Sequence, residues 1–267
     1  GLSIIVRMNA PLNTTRVRER VSPEEWETRV NLAACYRLMD HFDMTDMISS
    51  HISARVPGAH NEFLINPYGM RYSRMTASCL IKLDLDGKVL FNPTQYEANH
   101  SGFVIHSAIH GAREDVDCVI HAHTLSGAAV SAMECGLLPI VQTSMRYAKG
   151  VAYHDFESIV KVDERTRIVQ DLGQSDIMIL RNHGLLTCGR TIGEAFYNMF
   201  WLKRSCDIQV MALSCGVKLI QPSAEIVEKT WRAYEPGGSR HAQQKKGVLE
   251  WPSLLAEIDA IDPSYRD

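Results

Sequence analysis

The sequence predicts one α/β domain with a central β-sheet flanked by helices on both faces, a three-layer α/β/α arrangement. Three observations carry this. Short apolar runs of strand length alternate with longer segments of helical period. Two segments begin with strong helix-start signals, Ser22-Pro23-Glu24-Glu25 and Thr191-Ile-Gly-Glu194. No repeat breaks the alternation, and strands mixed with helices in one chain favour a covered sheet.

The elements follow in order. Residues 1–21 lack a clear period and read as a loose N-terminal arm. Ser22 is the expected N-cap, Pro23 suits the first turn and Glu25 stands at the capping-box position. Trp26, Val30, Ala33, Ala34, Arg37 and Leu38 then keep helical spacing to about His41. Between Asp46 and Asn92 the chain reads as short strands and turns. Ile52 and Val56 mark one strand, and Phe63-Leu64-Ile65 marks another. Ile81–Leu85 alternates, and Asp86-Gly87 is a hairpin signal. A helix is expected from about Ser101 to Ala112, a strand from Val116 to His123 and a helix from Ser126 to Met133. Leu137–Gln142 reads as a strand, Asp155–Leu172 as mostly helix and Ile177–Leu180 as a strand. A long helix runs from Thr191 to about Cys215. Residues 235–248 form a polar, low-hydrophobicity stretch, and Trp251-Pro252 opens a candidate short helix. The expected organisation is therefore an arm at 1–21, a domain at 22–232 and a C-terminal tail at 233–267.

Composition narrows the function. The net charge of −3 gives no basic footprint for nucleic acid or an anionic membrane. No apolar run approaches the ~20 residues needed to span a bilayer. The segment before Met8 is too short for a signal-peptide core, and Met8 reads as a natural start. The seven cysteines are odd in number, lack a C-x-x-C and lie partly in apolar runs. Free buried thiols in a reducing compartment, the cytoplasm, are expected. There is no G-x-G-x-x-G and no G-x-x-x-x-G-K, so no nucleotide fingerprint.

His121 and His123 stand two apart on an expected strand. Side chains alternate along a strand, so both point to one face and can converge on one ion. His183 follows another apolar strand at a turn with Gly184. Three imidazoles with an open position suit Zn²⁺, or Fe²⁺, Co²⁺ or Mn²⁺. Spacing alone leaves the alternative open, because an H-x-H pair is often incidental and a histidine before glycine is often a turn residue.

Gly102–Thr124, with His106, Arg113, His121 and His123, resembles the central segment of the class II aldolase/adducin family. Leu125–Pro139 and Val151–Asp155 are especially close to adducin, and Ile179–Leu185, with Asn182-His183-Gly184, is similar to the third-ligand motif. The resemblance spans roughly residues 25–215. It implies a divalent ion, Zn²⁺ foremost, held by His121, His123 and His183. It also implies a homotetramer and a lyase in which the metal stabilises an enediolate. The family's sugar-phosphate aldolases carry a Ser-Ser-Glu motif before the helix leading to the histidine pair. Here His100-Ser101-Gly102 stands there, so the acid/base Glu and one phosphate-binding serine are absent. The family's Gly-Asn is Ser50-His51, and its Pro-Thr-Gly is Pro67-Tyr68-Gly69.

These departures imply a non-phosphorylated oxo- or hydroxy-acid as substrate, contacted by Ser50, His51, Tyr68, Gly69 and Ser101. Imidazoles partly protonated near neutral pH would take its carboxylate or carbonyl. His100, Glu97 and His51 are the candidates for the missing proton carrier. His100 and Glu97 lie in a polar loop and read equally well as solvated. His106 and His110, four apart on a helix, read as packing or helix-surface residues. Gly102 is expected to leave open space beside the metal for chelation. Decarboxylation, which needs no base at carbon, stands beside aldol cleavage. The alternatives are a non-catalytic adducin-like scaffold module and Fe²⁺-dependent oxidative decarboxylation.

Overall fold

The computed structural model describes residues 17–157, 164–239 and 245–267. Most of the expected arm, the centre of the expected 155–172 helix and part of the polar 235–248 stretch lie outside the described residues.

Helix α1, Pro23–His41, opens as its sequence dictates: the Glu25 N–H donates to Ser22 Oγ at 3.0 Å. The Glu25 carboxylate does not turn back to close the capping box. It accepts from Arg29 at 2.9 Å and Lys82 at 2.8 Å. Arg29 is fully buried, and a buried guanidinium without a counter-charge is costly. Three-dimensional pairing therefore outranks the local cap.

Eight strands form one sheet in the order β4-β3-β2-β1-β5-β8-β7-β6. They are β1 His51–Val56, β2 Ala59–Ile65, β3 Ile81–Asp84, β4 Val89–Phe91, β5 Cys118–Ala122, β6 Val151–His154, β7 Ile177–Leu180 and β8 Gly184–Gly189. Neighbours are antiparallel except β6 and β7. The Asp86-Gly87 hairpin forms, with Gly87 at φ 88° and Asp84 Oδ1 accepting from the Asp86 and Lys88 N–H groups.

The remaining helices are α2 His100–Ala112, α3 Leu125–Ser131, α4 Gln142–Met145, α5 Glu164–Leu172, α6 Ile192–Ser214, α7 Ala224–Tyr234 and α8 Glu250–Ile261. One face of the sheet packs on α1 and α6 through Ile52, Ala54, Ile120, Leu185, Phe196 and Met199. The other packs on α2 and α5 through Ile105, Ile109, Val119, Ile168 and Leu186. Helix α8 and the turn after it return to the first of these clusters, where Ile258 and Tyr265 are buried.

Three sequence readings need correcting. Leu137–Gln142 is not a strand. Pro139 removes a ladder donor, and Gln209 of α6 takes over the pairing, accepting from the Leu138 N–H at 2.7 Å and donating to the Gly136 carbonyl at 2.9 Å. Asp155, Phe156 and Glu157, expected to begin a helix, are loop after strand β6. Strand β8 went unread because His183-Gly184 looked like the end of an apolar segment, whereas it is a turn between two strands.

Candidate metal centre and the histidine chain beside it

The site forms where β5 ends, β8 begins and β1 starts. Strands β1 and β5 place His51 opposite His121. His123 lies just past β5. The turn that delivers His183 uses Asn182 at φ 55°, a left-handed conformation that asparagine tolerates better than most residues. It is pinned by the Asn182 N–H donating to the Ser131 carbonyl at 3.0 Å and the His183 N–H donating to Ser131 Oγ at 3.1 Å. Gly184 has no alternative, because a Cβ there would lie 2.5 Å from the Ala122 carbonyl oxygen.

The three predicted rings meet. His123 Nε2 lies 2.9 Å from both His121 Nε2 and His183 Nε2, and the ring centroids are 4.6–4.8 Å apart. The second ring nitrogens of His121 and His123 are engaged behind. His121 Nδ1 donates to the Leu185 carbonyl at 3.0 Å, and His123 Nδ1 faces Asp46 Oδ2 at 3.2 Å. These partners favour the Nδ1–H tautomer of His121 and His123 and leave their Nε2 lone pairs on the side of His183, as metal-binding histidines require. Burial, then the neighbouring imidazoles, pushes His121 well below the ordinary histidine pKa and His183 down to about 4. Three imidazole nitrogens on one point are a donor set for a divalent transition metal.

Beside this cluster lies a second set of histidines. His51 Nδ1 is 2.6 Å from His106 Nε2, His106 Nδ1 contacts Ser53 Oγ, and Ser53 Oγ is 2.7 Å from His110 Nε2. His110 Nδ1 ends the chain at the Val116 carbonyl, 3.3 Å away. All four side chains are buried. The His51 ring centroid is 5.0 Å from that of His121.

This corrects three expectations. His106 and His110 are not on a helix surface: they line a buried polar seam where α2 meets β1. Gly102 does not leave open space, because a Cβ there would lie 2.7 Å from His51 Cγ, so the imidazole already fills it. His51 also offers no positive charge to a carboxylate. Burial, then His106, His123 and His183, holds it well below the usual histidine range and therefore neutral.

The other expected residues divide. Ser50 adjoins the cluster in sequence at φ 74°, buried, and its Oγ has no partner among the described residues. Backbone strain and an unpaired buried hydroxyl are features that call for an explanation beyond packing. Tyr68, Glu97 and His100 are exposed on the rim and have no hydrogen bond or ring contact with the histidine cluster among the described residues. Gly69, at φ 110°, packs under the Tyr96 ring. Ser101 lies in the first turn of α2. Sequence reading missed Ser53 and Asp46. The alternation His51-Ile-Ser53-Ala-Arg55 was the available signal for Ser53, since it puts three polar groups on one strand face.

A mostly antiparallel eight-stranded sheet with helices on both faces, carrying three convergent histidines at strand ends, defines an α/β protein with a candidate metal site. Residues 30–210 match the model of the class II aldolase and adducin N-terminal domain, and the chain belongs to that family. It is 45% identical over 251 residues to a protein of Pseudomonas aeruginosa provisionally named an aldolase class 2 protein, with 94% of this chain and 96% of the relative aligned. It is 42% identical over 280 residues to rat alpha-adducin, covering all of this chain and 37% of adducin's length. Among solved structures, an aldolase II superfamily protein of Pseudomonas syringae superposes with a TM-score of 0.86 at 44% identity, over 94% of this chain and 99% of that one. An L-fuculose 1-phosphate aldolase of Glaciozyma antarctica superposes with a TM-score of 0.79 at 27% identity, over 91% and 93%.

Proposed function

We propose that the protein is a metal-dependent lyase acting on a non-phosphorylated oxo- or hydroxy-acid, by aldol cleavage or decarboxylation. The convergence of His121, His123 and His183 carries this reading. These three would hold the ion, Zn²⁺ first, with Fe²⁺, Co²⁺ or Mn²⁺ as alternatives. When bound, a divalent ion supplies charge stabilisation for an enolate-like species. The chain's own groups position the rest. Leu185 and Asp46 orient two ligands, and the unpaired Ser50 Oγ offers a hydrogen bond to substrate. Tyr68, Gly69 and Ser101 would be further substrate contacts, and His100 and Glu97 the candidates for the proton carrier. Among the described residues no buried Lys or Arg is hydrogen-bonded to the cluster, and burial holds His51, opposite His121 in the sheet, well below the usual histidine range; both weigh against a phosphate ester.

The protein acts in the cytoplasm as a homotetramer in this reading. The seven cysteines are unpaired, and no described helix is long and apolar enough to cross a membrane. Met211, Val217 and Ile220 expose apolar surface near the end of α6, suited to a subunit contact. Light scattering at micromolar concentration is expected to give four chains, and a monomer would refute the assembly.

The test is elemental analysis of protein purified without a chelating column, followed by assay on hydroxy- and oxo-acids and on L-fuculose 1-phosphate. About one metal per chain and turnover of an unphosphorylated acid are expected. Cleavage of the sugar phosphate at ordinary enzyme rates would overturn the substrate class. The alpha-adducin likeness, 42% across the whole chain, favours a second reading, a non-catalytic binding module. Metal-free protein, inactive also after metal is added, would select it.

A further inference from the structure

The buried chain from His51 to Val116 has only one consistent direction when all its rings are neutral. A carbonyl accepts and never donates, so His110 Nδ1 must carry hydrogen toward Val116. Neutral His110 then has a lone pair on Nε2, and Ser53 donates its hydroxyl hydrogen to it. The Ser53 oxygen is left to accept from His106 Nδ1–H. His106 Nε2 is therefore a lone pair and accepts from His51 Nδ1–H. The polarity set by one main-chain carbonyl reaches His51, where Nε2 has no hydrogen and no hydrogen-bond partner among the described residues. Each link is buried, so water cannot substitute for a lost partner.

The seat of His51 is equally determined. The Gly102 N–H donates to the Asn99 cap at 3.1 Å, which fixes the start of α2 against the ring. No side chain fits at 102 without moving the imidazole. On the other side the ring is tilted 38° to His121.

We propose that His106, Ser53 and His110 are positioning residues that lock His51 as the Nδ1–H tautomer, making His51 Nε2 a fixed hydrogen-bond acceptor at the metal centre that selects substrates presenting a hydroxyl over those presenting an oxyanion. A ring nitrogen whose hydrogen is held on the far side by this chain accepts an O–H and repels the lone pairs of a fully ionised oxyanion. This rests on the metal-dependent reading for the identity of the neighbouring ligand site, but the tautomer itself does not. A free neutral histidine in water prefers hydrogen on Nε2, so the locked form is one that the surroundings must impose.

The experiment uses full-length protein with ¹³C,¹⁵N-labelled histidine at pH 7.5. The His51 signals are assigned by comparison with a His51→Gln variant, and its tautomer is read from ring ¹⁵N and ¹³Cδ2 shifts in solid-state spectra. The wild type is expected to show a single Nδ1–H form of His51. Ser53→Ala breaks the chain, and the Nε2–H form should appear. Zinc-loaded wild type should bind glycolate at least 10-fold more tightly than sulfate, which has no hydrogen to donate at this pH, and Ser53→Ala should shrink that ratio several-fold. A His51 that carries hydrogen on Nε2 in the wild type overturns the proposal before any variant is made. So does a Ser53→Ala protein whose His51 tautomer is unchanged. Absence of bound metal with the Nδ1–H tautomer intact would sink the lyase reading and the hydroxyl selection while leaving the lock standing. As a separate check on the seat, Gly102→Ala should lower the melting temperature in the His51 background and not in the His51→Ala background. Equal losses in both backgrounds would show that the ring does not occupy that space.

Discussion

Two groups of three histidines sit side by side and do opposite things. In the His121, His123, His183 group the Nε2 atoms point at one another, and for two of the rings Nδ1 is engaged behind by Leu185 or Asp46. In the His51, His106, His110 group the rings run in series, with Ser53 between the last two. The first gathers three Nε2 atoms on one point, an arrangement that suits a cation. The second uses every hydrogen it has and leaves one free acceptor at its end. Residue type does not assign a histidine's role. The partner of its second nitrogen does.

The comparison breaks most sharply at the ligands. His183→Ala is expected to reduce metal affinity more than about 100-fold, because even outer-sphere partners cost 10–100-fold. Asp46→Asn, which weakens only the support behind a half-exposed ring, should cost about 10-fold. Ser53→Ala should leave metal content intact. Equilibrium dialysis against zinc gives all three, and equal losses at His183 and Ser53 would erase the distinction between the groups.

Acid tests the second group. His110 is held down to about 3 by burial first and by Arg55 second. Its folded pKa lies below its unfolded value of ~6.5, so its contribution is fully present above pH 6.5. It is lost as pH falls from 6.5 toward 3, because the unfolded chain takes up a proton that the folded chain does not. The slope is about 1.4 kcal/mol per pH unit over that window. Urea melts of metal-free protein at pH 7.5, 6.0 and 5.0 should show it, and a midpoint flat across this range would refute the buried neutral assignment.

The smallest effect sharpens the boundary between the groups. Asn99→Ala removes the cap that holds the first turn of α2 beside His51. It should cost about 1 kcal/mol, or about 2–4 °C in melting temperature, with zinc binding unaltered. A loss of zinc binding would mean that the helix start also shapes the metal centre.

Much of the site was legible in the sequence because it rests on local rules. Period-two alternation puts His121 and His123 on one face, and the apolar run before Asn182-His183-Gly184 marks a strand end. The start of α1 follows from Ser22-Pro23. The contents of the second group were not legible. Ser53 is one polar residue on a short strand, and His106 and His110 at helical spacing are equally compatible with a solvated face. Gly102 looked like an opening for the same reason: an absent side chain says nothing about what fills the space.

The sequence by itself determined the α/β class, the helix starts, the Asp86-Gly87 hairpin and the shared face of His121 and His123, since each depends on spacing within one element or on a turn's own chemistry; His183 was joined to them by the family resemblance. Only the tertiary structure decided that β1 lies beside β5 with His51 opposite His121, that α2 presses its histidines onto β1, and that Glu25 serves Arg29 rather than its own cap. Those outcomes depend on which surfaces are buried against each other. Burial is what makes an unpaired polar group or charge costly enough to dictate its partner.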